Sequence, residues 1–375
     1  MSTEKNMLDA LIQHQVYSYR ASTKIVNELL GEYTKASNKL VIELKDKLDN
    51  LTQAEQSALL SGKYTTDNLK EIKQVFDDWY DVLAVQIPES FAVSATALAV
   101  YEAGYMASLY GDSVDAEKIA KPVLNKIKSE PVVSGMRIKD IWSNVAEQTR
   151  SQALYAVRDG IQQGVTTKDI VKSIRGERVK RGDSYEYVGG IINAEKRKNE
   201  IETNIRTIRS VITNDAYSET FKALGFTHLK FISTIDLRTS KECASLDQTV
   251  WEIGDPNIKR PPRHYNCRSV IVGVDESGKM GGKRPFVRSN KSVKDMSKDE
   301  REGNIGQIDA NESFPKWLDR QPEKFQREYF GETKFKLYKD GGYSIQKFVE
   351  PVTGREYTIA ELRALDQKTF RELNL

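Results

Sequence analysis

The chain has 375 residues, 39% hydrophobic and 30% charged, and a net charge of +3. That length suits two domains, or one with long extensions, and the polar balance suits a modest core. The near-even charge makes no whole-chain case for nucleic-acid binding, and two cysteines argue against a disulfide-stapled secreted fold. The start, Met-Ser-Thr-Glu-Lys-Asn, has no apolar run of signal-peptide length behind a basic segment, so an intracellular product is expected.

Up to residue 228 the pattern is mostly helical. Leu8, Leu11, Ile12 and Val16 begin an amphipathic stripe, and Leu40, Leu44, Leu48 and Leu51 continue one at near-helical spacing. Phe91 to Gly111 is rich in Ala and uncharged except for Glu102. With that carboxylate at its centre it reads as a buried bundle helix, and no stable membrane span is expected. Ile138 to Gly164 is a further helix. Thr166 with Asp169 forms a capping box for a short helix stopped at Gly176. Gly182 to Gly190 reads as a small hairpin, and Ala194 to Leu224 as a long helix closed by Gly225.

The chemically unusual residues gather between Phe231 and Val274. Phe231 to Arg238 alternates like a half-buried strand, which puts Asp236 and Arg238 on one face. Thr239 with Glu242 then starts a short helix carrying Cys243. Thr249 to Ile253 is a second strand, closed at Gly254, and Ser269 to Val274 a third. Between them lies a stiff basic loop, Lys259-Arg260-Pro261-Pro262-Arg263, leading to His264-Tyr265-Asn266-Cys267.

Beyond the third strand, 276–310 is rich in Gly, Ser, Lys and Asp and reads as a flexible basic linker. Phe314 to Phe330 regains helical spacing before Gly331. Phe335 to Tyr338 and Tyr343 to Val349 flank a hairpin-like Asp340-Gly341-Gly342, and Thr358 with Glu361 caps a last helix. The expected organisation is α+β. It has a helical domain over 1–228, a small module over 229–275, the linker over 276–310, and a helix–hairpin–helix tail over 311–375 packed on the module.

The order Asp236, Arg238, Thr239, Cys243, Leu246, Asp247, then Pro262, His264, Asn266, Cys267, Arg268 resembles the phage Mu protein F-like family of minor head and head-morphogenesis proteins. The resemblance is specific over about these 45 residues. Two positions depart from it: Gln248 stands where many members have Gly, and Ser269 follows Cys267-Arg268 where many have a further Cys. The second departure removes a sulfur from any shared metal site.

Read for chemistry, Cys243, His264 and Cys267 form a set that suits zinc. Asp236, Asp247 or water stand as fourth ligands. Against this, His264 can bond to backbone while both cysteines pack as small hydrophobes. An enzyme reading would make Asp236 or Asp247 a metal ligand and His264 a general base, as in a metal-dependent nuclease. The chain lacks a phosphate-binding Gly-rich loop, a nucleophile elbow and His-Glu-x-x-His. Lys259, Arg260, Arg263 and Arg268, with Lys283, Arg284 and Arg288, offer sequence-independent attraction to double-stranded DNA, or are ordinary solvated charge.

The resemblance implies a structural role rather than an enzyme. It points to a minor capsid protein of a tailed phage, present in several copies in the virion head near the portal. The portal and other head proteins are its implied partners, with roles in procapsid assembly, DNA packaging or ejection.

Overall fold

The computed structural model describes residues 4–131, 136–182, 184–193, 195–291 and 293–375. Helix takes 62% of the chain and no sheet among the described residues exceeds three strands, which is the expected α+β class.

Helix α1 (Glu4–Asp49) is one continuous element of 46 residues joining the two leucine patterns. Leu11, Leu40, Leu44 and Leu48 are buried along it, while the side chains of Leu8, Ile12 and Val16 lie outside the described residues. Helices α2 (Gln53–Leu60) and α3 (Asp67–Asp81) start at Thr52 and Thr66, whose hydroxyls accept main-chain N–H groups of the first turn. A π-helical turn at Val82–Gln86 leads into α4 (Ile87–Leu109).

Asp67–Leu109 is, among the described residues, the one helix long and apolar enough to cross a membrane by length and composition. Only 33% of its most apolar stretch is buried, less than the expected core helix. Phe91, Ala95, Ala99 and Ala103 are buried, whereas Val93 and Tyr101 face out. Glu102 is fully buried, taking 2.9 and 2.8 Å hydrogen bonds from His14 Nε2 and the Tyr217 hydroxyl.

Helices α5 (Ala116–Ser129), α6 (Ile138–Gln162) and α7 (Thr167–Arg175) follow, the last capped by Thr166 and ended at Gly176, φ +92°. The hairpin pairs β1 (Glu177–Arg181) with β2 (Ser184–Val188), so it starts earlier than expected and Gly182 sits at its turn. Its first strand has no apolar alternation; Arg178 instead lies over the Tyr185 ring at 4.0 Å. Asp183, and Ala194 at the expected start of the next helix, lie outside the described residues. Helix α8 spans Glu195–Ala223, with Gly225 at φ +83° beyond it.

The module contains β3 (His228–Ile232), β4 (Ile235–Asp236), α9 (Lys241–Leu246), β5 (Val250–Glu252) and β6 (Val270–Val274). Strand β3 is central in an antiparallel sheet ordered β5-β3-β6. Two expectations are corrected here. The strand from Phe231 to Arg238 breaks at Ser233, whose N–H turns aside to Asp247 Oδ1 at 2.7 Å. It is also buried on both faces: Leu229 and Ile232 pack with Tyr217 and Phe221 of α8, while Phe231 packs with Cys243 and Cys267.

The segment 276–310 is not a loose linker. It carries β7 (Lys283–Val287), α10 (Lys298–Asn304) and β8 (Ile305–Asp309). β7 runs parallel to β4 and antiparallel to β8, making a second three-stranded sheet. Few aliphatic side chains are needed, because a backbone ladder and the buried Arg284 order the segment.

The tail has five helices: α11 (Phe314–Asp319), α12 (Glu323–Phe330), α13 (Glu332–Lys339), α14 (Ile359–Leu365) and α15 (Gln367–Glu372). Pro322 divides the expected 314–330 helix, since proline cannot donate within a helix interior. The expected hairpin at 335–349 is instead α13 followed by a 3₁₀ turn at Ile345–Phe348. Phe335 and Leu337 are buried, Glu332 opens α13 and Lys339 closes it, each favouring the helix dipole. The Thr358–Glu361 capping box is present. Phe314, Trp317, Tyr329 and Phe348 pack in one cluster with Ile235 and Ala244, so tail and module share a core.

Two compact units result. One comprises Met1–Ser18, Ala99–Val123 and Ser210–Leu375; the other comprises Tyr19–Leu98 and Leu124–Arg209. Neither divides at 228: the module's unit draws Leu11 and Met106 into its own core.

Candidate metal centre and basic loop

Two aspartates frame the module. Asp236 ends β4, and its carboxylate takes both guanidinium nitrogens of Arg268, Nη2 to Oδ1 at 2.8 Å. It also accepts from Arg238 N at 3.0 Å, and the Thr239 hydroxyl is 3.1 Å away. Burial pushes this carboxyl up, but the hydrogen bond and charge of Arg268 outweigh it and hold the group below its ordinary range. Arg238, expected as the partner, is 68% exposed and reaches Asp236 only at 3.7 Å.

Asp247 is more enclosed. Its oxygens accept from Ser233 N at 2.7 Å, Phe314 N at 2.6 Å, and Arg284 Nη1 and Nη2 at 2.9 and 2.5 Å. The carboxylate thus joins β3, β7 and α11, and Arg284 is 1% exposed.

The helix carrying Cys243 is capped one residue later than expected. Ser240, not Thr239, accepts from Cys243 N at 3.1 Å, and Glu242 pairs with Arg263 instead of closing a capping box. Thr239 turns back to Thr234 O at 2.7 Å. Adjacent hydroxyls at 239 and 240 left two equivalent caps in the sequence.

Opposite α9, the chain passes the cis Pro261–Pro262 peptide and reverses at Asn266. Asn266 has φ +58°, a left-handed conformation that Asn tolerates, and Cys267 N donates to His264 O at 3.2 Å. The turn brings the three expected residues together. Cys243 Sγ lies 3.3 Å from His264 Nε2 and 3.6 Å from Cys267 Sγ, and all three ligand atoms fall within 4.8 Å of one another. His264 Nδ1 is 2.9 Å from Tyr265 O. A carbonyl only accepts, so Nδ1 carries a hydrogen, and whenever the ring is neutral it is Nε2 that has its lone pair on the side of the sulfurs.

Cys267 is held well below the ordinary thiol range, first by the hydrogen bond from Cys243 and, against burial, by His264. Cys243 is pushed well above it by the same bond and by burial. For His264, burial opposes the charged form, but the hydrogen bond and charge of Cys267 raise the imidazole. The Ser269 hydroxyl also bonds the Cys243 sulfur. Phe231, Leu246 and Trp251 close around the pair, so the packed-thiol alternative has its residues too.

The basic residues do not form one free patch. Lys259 Nζ donates to Pro351 O at 2.9 Å, Arg260 Nε to Ser218 Oγ at 3.2 Å, and Arg263 Nε to Glu242 Oε1 at 2.8 Å. Burial raises the Glu242 carboxyl, with Arg263 opposing. The tail closes over this ion pair: a Cβ at Gly354, φ +75°, would stand 2.0 Å from Glu242 Oε1. Arg268 is bound to Asp236, and Arg284 is sealed against Asp247, which withdraws it from any phosphate. Lys283 and Arg288 remain exposed, Arg288 above the Phe286 ring at 4.8 Å.

The family model described as phage Mu protein F like protein matches residues 151–272, from within α6 to within β6. Comparison with curated proteins and with solved structures found no match. The matched stretch contains Asp236, Asp247 and the whole Cys-His-Cys cluster, but neither Arg284 nor the tail. Over residues 151–272 this chain is similar to the phage Mu protein F-like family, which suggests a phage head morphogenesis protein.

Proposed function

We propose that the protein is a minor head component of a tailed phage. In this reading several copies sit inside the virion head at the portal vertex, after assembly in the host cytoplasm. They contact the portal and other head proteins and assist procapsid assembly, packaging or genome delivery. The observation that carries this reading is the family match over 151–272. Two features support it. Asp236 and Asp247, the carboxylates a metal-dependent nuclease would call on, are both engaged by arginines. Ile42, Val93 and Tyr155, 69, 76 and 73% exposed on the predominantly helical unit, offer apolar anchors for a partner protein. Contact with DNA falls to Lys283, Arg288 and Lys259; it should be independent of sequence and weaken steeply with salt.

Removing residues 1–228 would not test docking, because Leu11, Met106 and Tyr217 belong to the core beneath the module. Surface substitution does. Particles assembled with Ile42→Glu, Val93→Glu and Tyr155→Glu together should lose the chain from procapsids, whereas Lys283→Gln with Arg288→Gln should leave its copy number per portal unchanged and disturb packaging. Incorporation unaffected by the first set would assign docking elsewhere. Absence of the wild-type chain from particles, together with metal-dependent DNA cleavage, would replace the head role with the nuclease.

A further inference from the structure

We propose that Cys243, His264 and Cys267 bind one zinc ion through Sγ, Nε2 and Sγ, with a neutral oxygen at the fourth vertex. The spacing carries the argument. Around a tetrahedral zinc with Zn–S about 2.3 Å and Zn–N about 2.0 Å, two sulfurs stand about 3.8 Å apart and sulfur and nitrogen about 3.5 Å. The distances here are 3.6 Å for Cys243 Sγ to Cys267 Sγ and 3.3 Å for Cys243 Sγ to His264 Nε2. Two of the three donor pairs therefore already stand near the edge lengths of a zinc tetrahedron and the third lies within 4.8 Å, while 3.6 Å is far beyond a disulfide bond of about 2.0 Å.

The surroundings point the same way. The bond from His264 Nδ1 to Tyr265 O fixes the tautomer that leaves Nε2 free to ligate, as the outer contacts of zinc-bound histidines do. The Arg263 main-chain N–H bonds the Cys267 sulfur. Both cysteines are buried, at 2 and 7% exposure. Two thiolates cancel the charge of Zn²⁺, so the loaded centre is neutral, which burial favours.

The fourth vertex is not a carboxylate. Asp236 is held by both guanidinium nitrogens of Arg268 and by Arg238 N, and Asp247 by Arg284, Ser233 N and Phe314 N. The Ser269 hydroxyl, already bonded to the Cys243 sulfur, and water are the oxygens within the chemistry of this site. As each Zn–S bond forms, any proton that sulfur carries in the apo form leaves to solvent as H⁺, and no oxidant or reductant is involved.

The full-length chain, purified without added metal or chelator, is assayed for zinc and then, after stripping, titrated with Co²⁺. One zinc per chain and the thiolate-to-cobalt charge-transfer absorption of two Co–S bonds are expected. Cys243→Ser and Cys267→Ser should each weaken zinc binding by at least ~10-fold and halve that absorption. His264→Gln should weaken binding but keep the two-sulfur band, which separates loss of a ligand from loss of the fold. A stripped wild-type chain that takes up Co²⁺ without charge-transfer absorption overturns the proposal, as does zinc binding unchanged in both serine variants. These readouts are independent of any role in the head, so particle incorporation neither rescues nor sinks them.

Discussion

The two compact units differ in emphasis, although each has both kinds of contact: the buried Tyr33 hydroxyl donates to Ile192 O at 2.5 Å in one, and apolar clusters fill the other. In the unit formed by 19–98 and 124–209, side-chain hydroxyls cap α2, α3 and α7, while apolar stripes such as Leu40, Leu44 and Leu48 supply the core. In the unit that carries the module, buried polar side chains join segments far apart in sequence. Asp247 links Ser233, Arg284 and Phe314; Glu102 links His14 and Tyr217; Asn214 Oδ1 accepts from Ile271 N at 3.0 Å. Each unit is therefore fragile in its own way. A helix stripe degrades by the volume removed, whereas a polar junction fails asymmetrically: losing one partner strands the other without water.

The largest effect should therefore come from Arg284→Ala. It leaves the Asp247 carboxylate buried with only main-chain N–H partners, and a loss of about 3–5 kcal/mol is expected in urea denaturation. Replacing both partners, as Asp247→Asn with Arg284→Met, should recover part of it. A single-variant loss below about 1 kcal/mol would mean the junction is not the organising contact. In the helical unit Leu44, fully buried, should cost about 2–5 kcal/mol as Leu44→Ala, whereas Leu44→Met should cost under about 1.5 kcal/mol. If the two Leu44 variants were equally damaging, the contrast between stripe and junction would collapse. Arg268→Ala comes next. Its pair with Asp236 is charge-assisted but the guanidinium is 29% exposed, so about 1–3 kcal/mol is expected, read as a shift in the urea midpoint.

What the sequence disclosed follows the same division. Local signals, namely the Thr166 and Thr358 caps, the Gly225 stop and the leucine stripes, needed only neighbours a few residues away. The convergence of Cys243, His264 and Cys267 was also legible, because a capped helix and a stiff proline loop limit where those side chains can go. The ordering of 276–310 was not legible. It depends on Arg284 meeting a carboxylate 37 positions away, and composition alone treats that arginine as solvated charge. The α13 helix was mistaken for a hairpin because Asp340-Gly341-Gly342 is a good turn in either setting, and only burial of Phe335 and Leu337 decides between them. Gln248 shows a quieter case. Its φ of +70° is a conformation glycine adopts freely, which gives a physical reason for glycine there in similar sequences, while Gln248 Nε2 here holds Ala310 O at 3.1 Å.

The smallest effect tests a cationic junction of the same unit. Lys230 on β3 is 3% exposed, and its ammonium donates to Gly278 O at 2.9 Å and Asn311 Oδ1 at 3.1 Å. Burial first, and Arg284 second, pull its pKa down to about 8, with Asp247 and Asp309 opposing. The folded pKa is thus lower than the unfolded value of about 10.4. Between the two the unfolded chain binds a proton that the folded chain does not, so stability must rise with pH across that window. The contribution is fully present above the unfolded pKa and is lost as pH falls through about 8. Lys230→Met removes the titration but keeps the aliphatic stem. Urea midpoints for wild type minus variant should stay level below about pH 7, then climb from about pH 8 to about pH 10. Parallel profiles would show that water reaches the ammonium, and that β3 is less tightly sealed than its neighbours Leu229 and Phe231 indicate.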